Sequence, residues 1–253
     1  EFLPNLSPQE IKITAYLLRG EVGPSFEALE FNLAQNMVIR ALTQAYQLPE
    51  QKIKIALFKF GDLGIVAENL SKRKGDHLTI TEVFNSLQEI TRISGKGSQK
   101  LKLDRLVELL SQASGQEAKY IVRTILGTHR IGVADMTFLS GLAQGFTGKR
   151  ENKAVLESAY NIMSDLGEVA FRLTDKGLDA LKQVLPVPGI PIRMMLASRV
   201  ADLDEVSSHI TGSMFVEYKY DGERVQIHKD KKGRHYSLFK TAGEHYQSVS
   251  GDY

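Results

Sequence analysis

The strongest constraint in this sequence is a change of hydrophobic period. Up to about residue 185 the apolar residues recur at helical spacing. Leu33, Met37, Val38, Ala41, Leu42 and Ala45 fall on one helical face, as do Leu103, Leu106, Val107 and Leu110. β-branched alternation is scarce until Met214, Phe215 and Val216, which read as the start of a strand. Val225, Gln226, Ile227 and His228 read as a second one. Between the two regimes, residues 186–191 carry three of the chain's seven prolines, the composition of a linker. The expected architecture is mainly α. An all-helical domain covers 1–185, and a linker with the N-terminal part of an α+β domain covers 186–253. Pro49, Gly75, the 94–98 run, Gly115 and the loop from Gly127 to Gly132 punctuate the helices.

A faint repeat lies inside the helical region. Residues 61–70 (G-D-L-G-I-V-A-E-N-L) align with 164–173 (S-D-L-G-E-V-A-F-R-L), and each copy follows a helix beginning near a methionine, Met37 or Met136. An aspartate near a helix start is ordinary, because it caps free N–H groups and suits the dipole. Two such starts in matching context predict a pseudo-twofold domain. Duplex DNA has a backbone dyad of its own, so such a domain could hold both sides of a break in equivalent ways.

Composition excludes several classes. No run of about 18 apolar residues exists, so no membrane span is expected, and the E-F-L-P start has no signal-peptide pattern. The chain has no cysteine, which rules out disulfides and thiolate metal sites and suits the cytoplasm. Six histidines show no zinc-ligand spacing, so no metal ligands are assigned, and His228 and His235 read as surface residues. A net charge of +2 is too small to argue for nucleic acid, so any such site must come from local clustering.

Three polar loops are candidates for phosphate contact. Residues 71–74 (S-K-R-K) read best as a solvated basic run. Residues 94–100 (S-G-K-G-S-Q-K) combine glycines that allow close backbone approach with two lysines. Residues 127–132 (G-T-H-R-I-G) lie between apolar helices. Such contacts position a duplex without reading its sequence.

The most specific stretch is E-Y-K-Y-D-G-E-R-V-Q-I-H, residues 217–228. It places Lys219 at a strand end before an Asp-Gly turn. A lysine amine becomes nucleophilic when burial and nearby cations lower its pKa, and Arg224 could supply such a cation or grip a phosphate. An isolated K-x-D-G would read as a solvated hairpin. The longer run resembles the nucleotidyl-lysine motif of ATP-dependent DNA ligases of the archaeal and eukaryotic replicative type.

That resemblance implies that Lys219 takes AMP from ATP as a phosphoramidate, that Glu217 reads the adenine and that Arg224 contacts the nucleotide. It covers essentially the whole chain. The family's helical DNA-binding domain carries similar G-x-G-S and G-T-x-R-x-G segments, which points to Lys96, Gly97, Ser98, Thr128 and Arg130 as contacts to nicked duplex DNA. Mg²⁺ is expected to arrive with the triphosphate. Replication, repair and recombination are the implied settings. A monomer is expected, in the cytoplasm, or in the nucleus for a eukaryotic source. No motif for a sliding-clamp partner can be read.

The chain departs from the family pattern in places. Met194 stands where a proline is usual in P-M-L-A. Thr241 stands where F-S-R has its arginine, with Lys240 one residue earlier, and residues 246–253 match poorly. The later adenylation motifs and the C-terminal barrel are missing, so the chain reads as a piece of a longer ligase that binds DNA without completing ligation. The K-x-D-G core alone also fits RNA ligases and capping enzymes. A helical scaffold with an incidental K-x-D-G is the remaining alternative.

Overall fold

The computed structural model describes residues 3–73, 78–129, 132–194, 200–210, 212–218, 225–240 and 246–250. Lys219, Arg224 and Arg130 lie outside the described residues, as do Gly75 and Thr241. The first part is helical: α1 (Pro8–Leu18), α2 (Gln35–Tyr46), α3 (Glu50–Phe60), α4 (Leu63–Leu70), α5 (Ile80–Arg92), α6 (Ser98–Gln112), α7 (Gly115–Ile125), α8 (Asp135–Thr147), α9 (Lys153–Met163), α10 (Leu166–Lys176) and α11 (Asp179–Lys182). After it come α12 (Leu203–His209) and three strands, β1 (Val225–Lys229), β2 (His235–Lys240) and β3 (Tyr246–Ser250). The strands form one antiparallel sheet in the order β1-β2-β3.

The pseudo-twofold relation is present and reaches further than the Asp-Leu-Gly segments. Helices α1–α4 correspond to α7–α10. Both α1 and α7 start with a capping box, Ser7 with Glu10 and Ser114 with Glu117, so two free donors are satisfied reciprocally at each start. Both helices give way to a glycine of positive φ, Gly20 and Gly127. Ala34 and Ala134 hold the N-cap positions of α2 and α8. Asp62 caps α4 and Asp165 caps α10, each accepting from the N–H three residues on. Another helix, α3 or α9, stands between each methionine-bearing helix and the Asp cap.

The two units exchange their first helices. α1 packs along α10, and α7 packs along α4. Glycine makes both approaches possible. A Cβ at Gly64 would sit 2.7 Å from the Lys119 carbonyl, and one at Gly167 would sit 2.5 Å from the Tyr16 ring. The polar contacts also match. Lys119 pairs with Glu68 at 2.8 Å, and Lys12 pairs with Glu168 at 2.6 Å. Arg123 pairs with Asp62 at 3.0 Å, where Tyr16 donates instead to Asp165 at 2.9 Å. The consequence differs for the two caps. Burial opposes ionisation of Asp62, but Arg123 and backbone N–H groups hold its carboxyl below the usual range. Burial dominates at Asp165 and pushes its carboxyl up.

Two hydrophobic clusters follow from the exchange. One joins α2–α7, with Ile13 and Tyr16 of α1. The other joins α8–α11, with Ile11 and Ala15 of the same helix. α1 is therefore a wall shared by both cores.

Gly115 does punctuate the helices: α6 ends at Gln112 and Gly115 is the first residue of α7. A Cβ there would sit 2.6 Å from the Glu68 carbonyl, so it also serves close packing. One expectation needs correction. Residues 213–218 are irregular rather than a strand, and Phe215 and Val216 are exposed. They pair with no described strand, and an unpaired extended segment has no ladder to define it.

Substitution at the glycines tests the exchange. Gly64→Ala and Gly167→Ala should each cost about 1–3 kcal/mol through overpacking. Gly141, inside α8 with nothing near its added Cβ, should gain about 0.5–1 kcal/mol as alanine. Urea midpoints at unchanged m-value measure all three.

Candidate nucleic-acid interface

The 94–100 loop turns sharply through its two glycines. Gly95 and Gly97 have φ of +83° and +84°, a left-handed conformation that disfavours other residues. Gly97 is the N-cap of α6, which has no side-chain cap bond, so the helix start is open to an anion. Lys96 and Gly97 are exposed and Ser98 is half-buried beside them.

Thr128 is exposed at the end of α7, its N–H donating to the Arg123 carbonyl at 2.9 Å. His129 packs edge-on to Tyr120 and lies 3.3 Å from the Thr124 hydroxyl through Nδ1. Burial and the Arg123 guanidinium hold its imidazole below the ordinary 6.5.

Residues 28–34, the dyad mate of the segment before α8, lie between these two loops. Gln99 Nε2 donates to the Asn32 carbonyl at 3.4 Å, and Lys102 Nζ donates to the Phe31 carbonyl at 2.7 Å. On the other side, a shallow cleft separates residues 28–34 from the C-terminal end of α7 at residues 124–127. Gln99 and Gly127, the neighbours in sequence of Ser98 and Thr128, thus lie on either side of residues 28–34. Residues 71–73 lie elsewhere. Arg73 donates to the Gln112 carbonyl at the far end of α6, and a helix of 15 residues is about 22 Å long.

Lys102 was missed by sequence reasoning. It is only 4% exposed and ties residues 28–34 to α6. A lysine on the apolar stripe of an otherwise amphipathic helix was the available signal. The Arg19, Asp135, Tyr160 and Arg193 cluster was also missed. Its members are scattered along the chain, and no local pattern joins them.

In the C-terminal part, Glu217 is exposed on irregular chain, two residues before Lys219 in sequence. Val225 and Ile227 are exposed on β1, and Gln226 and His228 alternate with them, half-buried. His228 is more than a surface residue: its Nδ1 accepts from the Gly189 N–H at 3.1 Å. Phe239 pairs opposite Val225, and Lys240 ends β2 opposite Tyr246. Among the described residues no three His, Cys, Asp or Glu side chains converge on a metal site. Nor is any described helix long and apolar enough to cross a membrane.

Comparison with known proteins agrees with this organisation. Residues 1–143 match the DNA ligase N terminus family, and residues 194–251 match the ATP dependent DNA ligase domain. The chain belongs to the ATP-dependent DNA ligase family. It is 41% identical to a probable DNA ligase of Persephonella marina over 92% of this chain and 40% of that protein. It is 40% identical to DNA ligase 1 of Methanosarcina acetivorans, over 90% of this chain and 39% of that protein. It is also 40% identical to the DNA ligase of Aeropyrum pernix, over 88% of this chain and 40% of that protein. The chain thus spans about 40% of the length of these curated relatives.

The depressed His129 value gives a pH prediction. In the folded chain the ring stays neutral while the unfolded chain binds the proton first. Stability is therefore full above the ordinary imidazole value and falls as pH drops below about 6.5. His129→Gln should flatten that acid slope, measured by urea midpoints at about pH 5.5 and about pH 7.5.

Proposed function

We propose that this chain is the DNA-gripping and nucleotide-accepting part of an ATP-dependent DNA ligase that seals nicks in duplex DNA. We place the boundary between the two parts near residue 186. The observation that carries the reading is the placement of residues 28–34 between the start of α6 and the end of α7 on a pseudo-dyad helical domain, in a chain that also holds the K-x-D-G run.

In this reading Lys96, Gly97, Ser98, Thr128 and Arg130 take phosphates of the duplex. Backbone N–H groups and lysine charge supply the affinity, and base sequence goes unread. The Lys219 amine attacks the α-phosphate of ATP. An N–P bond forms, the bond to the β-phosphate oxygen breaks and pyrophosphate leaves. Glu217 reads the adenine and Arg224 holds the nucleotide. AMP then passes to the 5′-phosphate at the nick, and attack by the 3′-hydroxyl closes the strand and releases AMP. Mg²⁺ would arrive with the triphosphate, held mainly by its phosphates and water. This chain should bind DNA without completing the sequence. Replication, repair and recombination are settings in which such an enzyme acts.

The reading is tested on two levels. Residues 1–185 should bind duplex DNA with little sequence preference and with an affinity that falls steeply with salt. Salt-independent binding, or none at low salt, would contradict it. In the longer protein that carries this chain, Lys219→Ala should abolish labelling by α-labelled ATP and leave nicked-DNA binding unchanged. Arg130→Ala should weaken DNA binding by roughly tenfold to a hundredfold and spare labelling, and Arg224→Ala should do the reverse. Preference for RNA over nicked duplex DNA would point to another nucleotidyltransferase.

A further inference from the structure

The proline-rich segment has the composition of a tether, but its polar groups are engaged on two sides. Toward the helices, the Pro191 carbonyl accepts from Ser164 Oγ at 2.6 Å, and the Arg193 N–H donates to the Asn161 carbonyl at 2.8 Å. The Arg193 guanidinium lies over the Tyr160 ring, 4.2 Å from its centroid, and donates to its hydroxyl at 2.7 Å. Toward the sheet, the Gly189 N–H donates to His228. The Ile192 N–H donates to Gln226 Oε1 at 2.9 Å, and its carbonyl accepts from Gln226 Nε2 at 2.7 Å. A side-chain amide thus pairs with Ile192 as a neighbouring strand would.

The helical anchor is rigid for a countable reason. Tyr160 is 1% exposed. Its hydroxyl donates to Asp135 at 2.6 Å and accepts from Arg19 at 2.9 Å and from Arg193. One donor and two acceptor positions are thereby all used. Asp135 opens α8, directly after the loop that contains Thr128, and also receives Arg19 Nη1 at 2.8 Å. The first residue of the helix that follows the candidate DNA loop therefore also orients the side chain that holds Arg193.

The two halves also differ at the ends of α3 and α9. Gly61 ends α3 at φ +70°, an easy conformation for glycine. Its mate Ser164 ends α9 at φ +49°, where a side chain is disfavoured. The second unit accepts that strain at the one position whose hydroxyl reaches Pro191.

We propose that residues 189–193 form a two-sided clasp, with Arg193 and Ser164 as positioning residues, that fixes β1 relative to the Thr128 loop. Its importance for nick sealing rests on the ligase reading above.

Hydrogen exchange on the 253-residue chain tests the clasp itself. Ser164→Gly relieves the backbone while removing the hydroxyl, so the helical domain should remain folded. The Ile192 and Arg193 amides should exchange at least tenfold faster in Ser164→Gly and in Arg193→Ala, with the amides of α4 and α7 unchanged. Arg193→Lys should fall between Arg193→Ala and the parent. Unchanged exchange at residues 192 and 193, or a uniform rise across the helices, would overturn the proposal.

In the longer protein, Arg193→Ala should lower kcat for sealing at least fivefold, with KM for nicked duplex and labelling by ATP unchanged. Full sealing by that variant would overturn the positioning role. Failure of the unsubstituted protein to take label would instead overturn the ligase reading, and the exchange result would still decide the clasp.

Discussion

The structure depends on the close contact of helices that belong to different halves of the repeat. α1 can lie on α10 because Gly167 presents no Cβ to Tyr16, and α7 can lie on α4 because Gly64 presents none to the Lys119 carbonyl. Each contact then carries one lysine–glutamate pair and one side chain bonded to an N-capping aspartate. The exchange makes neither unit complete without the other. It also determines where the connecting segments emerge. Residues 28–34 come to lie between the start of α6 and the end of α7, so the glycine contacts position the candidate DNA surface without belonging to it.

The symmetry is broken where the chain must do two different things. Arg123 in one half has Tyr16 as its counterpart, and this leaves Asp165 with a hydroxyl partner in a buried setting while Asp62 keeps a full cation. Gly61 in one half has Ser164 as its counterpart, and Ser164 engages the linker. α2 begins at Gln35, while α8 begins at Asp135, bound to Arg19 and Tyr160. One half therefore presents only a connecting segment to the candidate surface, while the other also carries the chain into the second part.

Much of the helical part was legible because its signals are local. Apolar spacing in α2 and α6, and the Asp-Leu-Gly starts of α4 and α10, each report on a few neighbouring residues. The pseudo-twofold arrangement could be inferred from those starts, but the exchange of first helices could not. The Ser7 and Ser114 capping boxes are visible in sequence, yet nothing local says which helix each start will meet. The strand expected at Met214 failed because a strand is defined by its partner, and its neighbours in sequence do not supply one. β3 was unexpected for the same reason: residues 246–250 acquire their state from β2. At the candidate site, the glycine and lysine pattern of the 94–100 loop was readable. Lys102 was not singled out, because its role depends on a carbonyl at Phe31 that only folding brings near.

In the function proposed above, the pseudo-dyad of exchanged helices presents its loops to both sides of a break in duplex DNA. Hydroxyl-radical footprinting of a nicked duplex bound by this chain tests it most directly. Two protected patches of sugars are expected, placed comparably on either side of the nick. Protection confined to one side, or a footprint indifferent to the nick's position, would contradict it.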